Sequence, residues 1–227
     1  MSKRFLSIFM VIGISLLVLG ACSNSGEKGQ ETEENKAVAT VNGEEIPRSE
    51  YESLLKDTEA MYAQQGIDVD SMTEEMKEEM SVQVVDQLVN TSLLLQTSQA
   101  EGIEVDEKSV DERMEQVKGQ FEDEEKYQEA LKESKLDEET LRKQVQEDLL
   151  ITQYIDTKVG QIEVSESEVQ TVYEQYKEMA ESQKQEIGEF EEMKAALEQE
   201  AISAKKQEKT IEIIEKLREK NQIEVLI

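Results

Sequence analysis

Apolar side chains recur at helical spacing along most of this chain, most regularly near its end. There they are spaced by three, four or seven residues, which places them in one stripe along an α-helix. The stripe consists of Phe190, Met193, Leu197, Ala201, Ala204, Ile211, Ile214 and Leu217. A helix that carries it is on the order of 40 Å long. Without a sustained coiled-coil heptad, it needs shorter helices packed along it. We therefore expect a mainly α-helical domain of several helices with a long C-terminal helix.

Short apolar runs with β character lie at two distant points of the chain. One is residues 223–227 (IEVLI), just after the long helix. The other is residues 38–41 (VATV), which leads into a hairpin turn signal, Asn42-Gly43. A single strand has unpaired backbone groups and needs a partner. We therefore predict a small two-stranded β clasp that joins the N- and C-terminal ends of the domain.

Capping residues followed by acids mark several helix starts. Pro47 suits the first turn of a helix but not its interior. Residues 70–74 offer several N-caps, including a capping-box pair of Ser71 and Glu74. Three further starts place a cap between an apolar residue and acids, which complement the helix dipole. These caps are Asp106, Asp137 and Ser165. We predict that helices begin at all of these positions.

The composition favours helices and excludes several classes of catalytic and metal-binding site. With 10 glycines, one proline and no tryptophan among 227 residues, the chain suits an open helical assembly of one or two domains. It contains no histidine and a single cysteine, which excludes a histidine-dependent triad, a His/Cys zinc cluster and an internal disulfide. The formal net charge of −28 makes nucleic acid a poor partner. We predict no catalytic residue, no metal, no cofactor and no small-molecule substrate.

Residues 68–79 match part of a calcium-binding loop. Asp68, Asp70 and Glu79 occupy its first, third and twelfth positions. However, Met72 and Thr73 stand at the fifth position and at the position that requires glycine. We therefore interpret the stretch as a helix cap and not as a metal site.

The first 21 residues have the form of a secretory signal peptide. Lys3 and Arg4 precede an apolar run over residues 5–19, and small residues follow it. The sequence Leu-Gly-Ala-Cys, which ends at Cys22, resembles the bacterial lipobox. The resemblance implies cleavage before Cys22 and attachment of a lipid to its sulfur, and two or more acyl chains suffice for stable anchoring. The alternative is an uncleaved membrane anchor with an incidental cysteine.

A polar tether is predicted between the lipid and the folded body. Apart from Cys22, residues 22–36 (CSNSGEKGQETEENK) hold no apolar side chain, which is typical of a flexible segment. Removal of residues 1–21 takes away two basic residues and no acidic one, so the net charge of −28 becomes −30. We expect an acidic body, residues 37–227, that is attached by this flexible tether outside the cytoplasm.

The pattern formed by residues 39–51, 100–105, 136–151 and 190–194 with the final IEV resembles the N-terminal chaperone domain of SurA- and PrsA-type extracytoplasmic folding factors. Residues 39–51 (ATVNGEEIPRSEY) resemble the opening strand, turn and first helix of this family. Residues 100–105 (AEGIEV) and 136–151 (LDEETLRKQVQEDLLI) resemble its middle helices. Residues 190–194 (FEEMK), with the final IEV, resemble its returning helix and last strand. The lipobox matches the Gram-positive PrsA branch, which implies a lipid-anchored protein on the outer face of the cell membrane.

One part of the PrsA pattern is missing. In PrsA-like members, a parvulin-type prolyl isomerase domain of roughly a hundred residues precedes the returning helix, and the interval left here, about residues 177–189, is too short for it. The resemblance therefore implies a chaperone module without the isomerase. No pair of carboxylates stands out by its spacing as an acid/base site, so isomerase activity is the least favoured function.

The favoured function is that of a holdase, which binds unfolded or newly secreted polypeptides without ATP. Flexible thioethers suit contacts with many different clients. The candidate client-binding residues are Met61, Met76, Met80, Met114, Tyr173 and Met179. Alternatively, these methionines fill the core between helices. A second function remains open, that of an adaptor lipoprotein that docks one dedicated partner at the membrane.

Overall fold

The computed structural model describes residues 36–134, 136–183 and 185–227. Its strands are β1 (Ala37–Val41), β2 (Glu44–Pro47) and β3 (Ile223–Val225). Its helices are α1 (Arg48–Gln64), α2 (Glu74–Ala100), α3 (Glu107–Lys118), α4 (Glu124–Glu133), α5 (Glu138–Val159), α6 (Glu166–Ser182) and α7 (Phe190–Lys220). A short 3₁₀ turn, Val69–Ser71, lies between α1 and α2. The predicted mainly α-helical fold is confirmed, whereas the signal peptide, Cys22 and almost all of the tether lie outside the described residues.

Most of the predicted helix starts are confirmed by their caps. The Asp106 carboxylate accepts a hydrogen bond from Ser109 N, and the Asp137 carboxylate accepts one from Thr140 N. Ser165 forms a full capping box with Glu168 at the start of α6. The capping box predicted for Ser71 and Glu74 is wrong.

The start of α2 is capped by a different residue. Thr73 accepts a hydrogen bond from Met76 N there, because Ser71 lies in the preceding 3₁₀ turn. Asp68 caps that turn by accepting from Asp70 N. Two consecutive caps therefore hold the connection from α1 to α2 in a defined conformation.

The first and last strands of the described residues lie in one antiparallel sheet with the strand order β2-β1-β3. Thr40 of β1 pairs with Glu224 of β3, which confirms that the first strand pairs with the last. The sheet has one strand more than the predicted clasp, because β2 turns back onto the other edge of β1. The turn between them places Asn42 at φ 54° and Gly43 at φ 84°, a conformation that favours these two residue types.

A hydrogen-bond network around Asn42 fastens the sheet to two helices. Asn42 Nδ2 donates to Gln96 Oε1 on α2 at 2.8 Å and to Asn221 Oδ1 at the end of α7 at 2.9 Å. The Asn42 backbone N donates to the Gln222 carbonyl at 2.8 Å. Gln96 Nε2 in turn donates to the Val41 carbonyl at 3.1 Å. One turn residue therefore joins the first strand, α2 and the end of the chain.

Three separate apolar cores lie within the part of the chain that the structure describes. The first core, between the sheet, α1 and α2, consists of Val38, Ala39, Val41, Ile46, Tyr51, Leu54, Val84, Val85, Leu88, Val89 and Leu93. The second core, within α3, α4 and α5, consists of Val110, Met114, Tyr127, Leu131, Leu141 and Val145. The third core, between α6 and α7, consists of Val169, Leu197 and Ala201. The second core gives α3, α4 and α5 the character of a lobe beside the first.

Helix α7 links these parts along its length of 31 residues, or about 45 Å. It packs against α6, α2 and α5. Of its predicted apolar stripe, Leu197 and Ala201 are buried, whereas Ala204 and Ile211 are exposed. The stripe is therefore covered in sections by different neighbours.

Candidate client-binding surface

Three exposed apolar side chains lie around the connection between α1 and α2, and together they are called the tip. Met61 stands in the last turn of α1, Ile67 in the connection and Met76 in the first turn of α2. Their exposed fractions are 52%, 38% and 47%. Side chains of this kind normally lose water contact on folding. The tip is therefore an apolar surface left open by the folded chain.

The backbone of the tip is held by local hydrogen bonds. Gly66 ends α1 in the left-handed region with φ 80°, and Ile67 N then donates to the Tyr62 carbonyl at 3.0 Å. The caps at Asp68 and Thr73 follow directly. The three apolar side chains are thus presented on ordered backbone, which lowers the entropy lost when a partner binds.

Acidic side chains surround the tip. Residues 56–79 contain eight acidic and two basic residues. One of the two bases, Lys77, forms an ion pair with Glu74 at 3.5 Å. The tip is therefore an apolar patch in a negative field, which favours a partner that is apolar and positively charged.

Two of the predicted client-binding residues are buried. Met114 belongs to the second core and Met80 lies on the inner side of α2, and each is only 5% exposed. Neither thioether is available to a client on the surface. For these two residues the core interpretation is correct, because both lie on helix faces that pack inward.

Two other predicted residues lie on α6. Tyr173 stands in the contact with α7, where its ring meets Phe190 edge to face at 5.4 Å and its hydroxyl donates to the Gly188 carbonyl at 3.1 Å. Met179 projects from the last turn of α6 and is 58% exposed. Tyr176 lies near it in sequence and donates to Glu200 at 2.6 Å, which raises the pKa of the Tyr176 hydroxyl. Of this pair of predictions, only Met179 forms part of an exposed apolar surface.

Sequence reasoning missed Ile67 and Tyr176 as exposed apolar residues. Ile67 follows Gly66 and precedes an acidic capping run. Its place between a helix stop and a helix start is the sequence signal that could have pointed to the tip.

Two open grooves flank the contact between α3 and α5. One has a volume of about 420 Å³ and is lined by Val105, Ser109, Leu149, Thr152, Gln153, Asp156 and Thr157. The other has a volume of about 630 Å³ and is lined by Asp111, Met114, Glu115, Lys118, Glu138, Glu139 and Arg142. Arg142 is bound there by Glu107 and Asp111, each at 2.6 Å. Paired charges of this kind fix α5 to α3 and show no arrangement of acid, base and nucleophile.

Within the described ranges, no group of three or more His, Cys, Asp or Glu residues could hold a metal ion. None of the helices in those ranges is both long enough and apolar enough to cross a membrane.

Comparison with known proteins shows what the sequence and the fold of this chain are similar to. The sequence profile of the SurA-like N-terminal domain family matches residues 2–155. The protein named Foldase protein PrsA from Clostridium botulinum strain 657 is 26% identical over 189 residues, which cover 78% of this chain and 55% of the relative. The PrsA protein of the Hall strain is 25% identical over the same length. The chain thus spans about half the length of the curated relatives that it matches.

A solved structure supports the same fold. It comes from work on two structurally related SurA-like chaperones of Campylobacter jejuni. The TM-score is 0.54 at 14% sequence identity, and the alignment covers 85% of this chain and 99% of that one. Because the family profile covers more than half of the sequence, this chain belongs to the SurA-like N-terminal domain family.

Proposed function

We propose that this protein is an ATP-independent chaperone that binds exposed apolar segments of unfolded or newly secreted polypeptides. The observation that carries the proposal is the tip, where Met61, Ile67 and Met76 stay open to solvent on hydrogen-bonded backbone. Its relatives are named as a foldase and as SurA-like chaperones, which supports the same role.

The side chains of the tip suit clients of varied sequence. Methionine has three rotatable bonds and a polarizable sulfur, so two methionines fit different apolar shapes with little strain. The acids around the tip add attraction for basic segments, and salt screens that attraction beyond about 10 Å at 0.1 M. Contact through the methionines should survive high salt, whereas attraction by the acids should not. Met179 on α6 is proposed as a second, separate contact.

The proposal places the domain outside the cytoplasm. Under this proposal, residues 1–21 are removed as a signal peptide and Cys22 carries the lipid. Residues 22–36 form the tether to a single domain over residues 37–227. A flexible tether of this length has an end-to-end distance of about 20 Å. The body, with its excess of acids, is repelled by anionic lipid headgroups, which keeps the tip away from the membrane and open to clients.

We further propose that the protein acts without prolyl isomerase chemistry. Helix α6 ends at Ser182 and α7 begins at Phe190, so seven residues connect them. A connection of that length holds no folded domain. Binding by apolar contact needs no catalytic group. The ion pairs that Arg142 forms in the groove beside α3 agree with such a function, because they hold two helices together.

The test is suppression of aggregation by a soluble form that starts at Ser23. Two unrelated unfolding proteins are used as clients, each at low and at high salt. The triple variant Met61→Ser, Ile67→Ser, Met76→Ser should lose most of the salt-resistant protection. The control variant Val82→Ser, Ile211→Ser changes two residues that are also about half exposed, 55% and 50%, and should protect like the wild type. Equal protection by both variants would refute the tip as the client surface.

The second candidate function is an adaptor that docks one dedicated partner. The exposed apolar patch fits this role too, because such patches also mark specific interfaces. Breadth of clients separates the two functions. Protection of both clients at high salt supports the chaperone, whereas protection of neither, or protection that disappears with salt, favours the adaptor.

A further inference from the structure

A carboxylate is buried at the start of α1, next to residues of the first core. Glu50 lies in the first turn of α1 and is only 6% exposed. Its Oε1 atom has no hydrogen-bond partner among the described residues. A buried and unpaired carboxylate oxygen is costly unless the group takes up a proton.

The ionisable groups that act on Glu50 come from two neighbouring elements. Glu147 and Lys143 approach from α5, and Glu44 approaches from β2. Lys143 Nζ lies 3.7 Å from Glu147 Oε1, and the Glu147 side chain is only 16% exposed. One cation thus faces three carboxyl groups, so the cluster of Glu50, Glu147, Glu44 and Lys143 has an excess of negative charge when all of them are ionised.

A further polar side chain is buried on the same turn of α5. Gln144 is 3% exposed, and neither its Oε1 nor its Nε2 has a hydrogen-bond partner among the described residues. Helix α5 therefore turns two polar side chains, Gln144 and Glu147, into the protein at this level. The packing here leaves several polar atoms unsatisfied, which is unusual for a rigid core.

The surroundings favour the protonated form of Glu50. Burial is the main cause and Glu147 the next, and together with Glu44 they raise the pKa of the Glu50 carboxyl to about 7, against the opposing effect of Lys143. Burial also raises the pKa of Glu147. Near neutral pH the cluster holds a proton that isolated carboxylates would have lost.

The position of the cluster gives that proton a structural role. Helix α5 supplies Leu141 and Val145 to the second core and packs against α3, α2 and α7. Glu50 lies in α1, whose Tyr51 and Leu54 belong to the first core. The groups of the cluster therefore come both from the lobe of α3, α4 and α5 and from the part of the chain that contains the sheet.

We propose that the cluster of Glu50, Glu147, Glu44 and Lys143 is a proton-dependent junction between α1 and α5. With Glu50 protonated, no second negative charge opposes the Glu147 carboxylate and α5 stays docked. With Glu50 ionised, its buried charge and the partly buried Glu147 carboxylate share one lysine, and the junction loosens. This inference does not depend on client binding.

The direction of the pH effect follows from linkage. The docked state binds the Glu50 proton more tightly than an open, solvated state does. Docking is therefore strongest below neutral pH and weakens as the pH rises through about 7. Between pH 6 and pH 8 the docked-to-open ratio should fall on the order of tenfold.

The experiment is hydrogen exchange of the folded protein at pH 6 and pH 8, corrected for the intrinsic exchange rates. In the wild type, amides in the first turns of α1 and in residues 141–150 should lose protection on the order of tenfold at the higher pH. Glu50→Gln removes the ionisable group and should abolish this change. Glu52→Gln, at an exposed position of α1, is the matched control and should behave like the wild type.

Two outcomes would overturn the proposal. The first is a pH dependence in Glu50→Gln that equals that of the wild type. The second is a carbon-13 NMR titration of the wild-type Glu50 carboxyl with its midpoint near 4.5, the ordinary value. The NMR titration needs no substitution, so it decides the matter even where Glu50→Gln fails to fold.

Discussion

Two regions of this molecule are held together in different ways. The sheet end, formed by the three strands with α1 and α2, encloses eleven buried residues of the first core. The arm, formed by α6 and the first half of α7, encloses three. Since apolar burial is the main source of stability, we infer that the sheet end holds the fold and that the arm is only loosely held.

The arm depends more on surface contacts. Lys194 forms an ion pair with Glu166 at 2.8 Å, and Lys205 forms one with Glu168 at 2.7 Å. Exposed pairs of this kind contribute little each and are weakened by salt. In the sheet end, by contrast, the network around Asn42 connects residues far apart in sequence. Closure of the chain on itself therefore concentrates apolar burial and long-range hydrogen bonds at one end of the molecule.

The largest expected effect comes from matched truncations in the two cores. Leu88 and Leu197 are both almost fully buried, at 1% and 2% exposure. Leu88→Ala should lower the free energy of unfolding of the whole domain by about 2–5 kcal/mol, because it leaves a cavity in the main core. Leu197→Ala should open the arm and leave the sheet end protected. Chemical denaturation and hydrogen exchange measure the two effects, and equal loss of protection throughout both variants would contradict the comparison.

A smaller effect is expected at the turn that closes the sheet. Asn42→Gly keeps the positive φ but removes the side-chain hydrogen bonds to Gln96 and Asn221. Loss of these bonds should cost about 1–2 kcal/mol. Asn42→Ala should cost more, because alanine also resists this backbone conformation. Thermal melting compares the two variants, and a melting temperature of Asn42→Gly equal to that of the wild type would show that the network does not stabilise the closure.

Acid should act on the two regions in opposite directions. As the pH falls through about 7, protonation of Glu50 should stabilise the folded sheet end. Hydrogen bonds from Lys205 and Ser165 lower the pKa of Glu168 to about 2, and Lys194 lowers that of Glu166. A carboxyl group with a lowered pKa stabilises the folded protein at pH values above its ordinary pKa. This contribution is lost as the pH falls toward 2. Hydrogen exchange across this pH range should show the arm opening first, and opening of the sheet end before the arm would contradict the assignment.

The smallest effect is expected from salt and from single ion pairs in the arm. Lys205→Ala removes the partner of Glu168 and should raise exchange in α6 slightly at low salt. High salt should reduce the difference from the wild type. Lys108→Ala, which removes an exposed pair with Glu112 on α3, is the control and should leave α6 unchanged. A salt-independent loss in Lys205→Ala would mean that Lys205 acts by packing and not by charge.

The sequence predicted those parts of the fold that rest on local chemistry or on long periodic patterns. The caps at Asp106, Asp137 and Ser165 are local, and the structure confirms them. The pairing of the first strand with the last followed from the need of a lone strand for a partner, and it is also confirmed. Strand β2 was not predicted, because its four residues include two glutamates and carry no alternating pattern.

The candidate site was harder to predict, because exposure depends on which elements pack together. Met61, Met80 and Met114 all lie in helices, yet only Met61 is exposed. Met61 is exposed because it lies at the end of α1, beyond the first core. The buried Glu50 was missed for the same reason: acids in the first turn of a helix normally face water, and only the approach of α5 covers this one.

Site-specific photo-crosslinking to an unfolded client tests the central claim most directly. A photoreactive residue is placed at position 61 or 76 in the tip and, as an exposed control, at position 128 on α4. The proposed function predicts client adducts from positions 61 and 76 at low and high salt, with few from position 128. Adducts of equal yield from all three positions, or none from the tip, would contradict the claim that clients bind there.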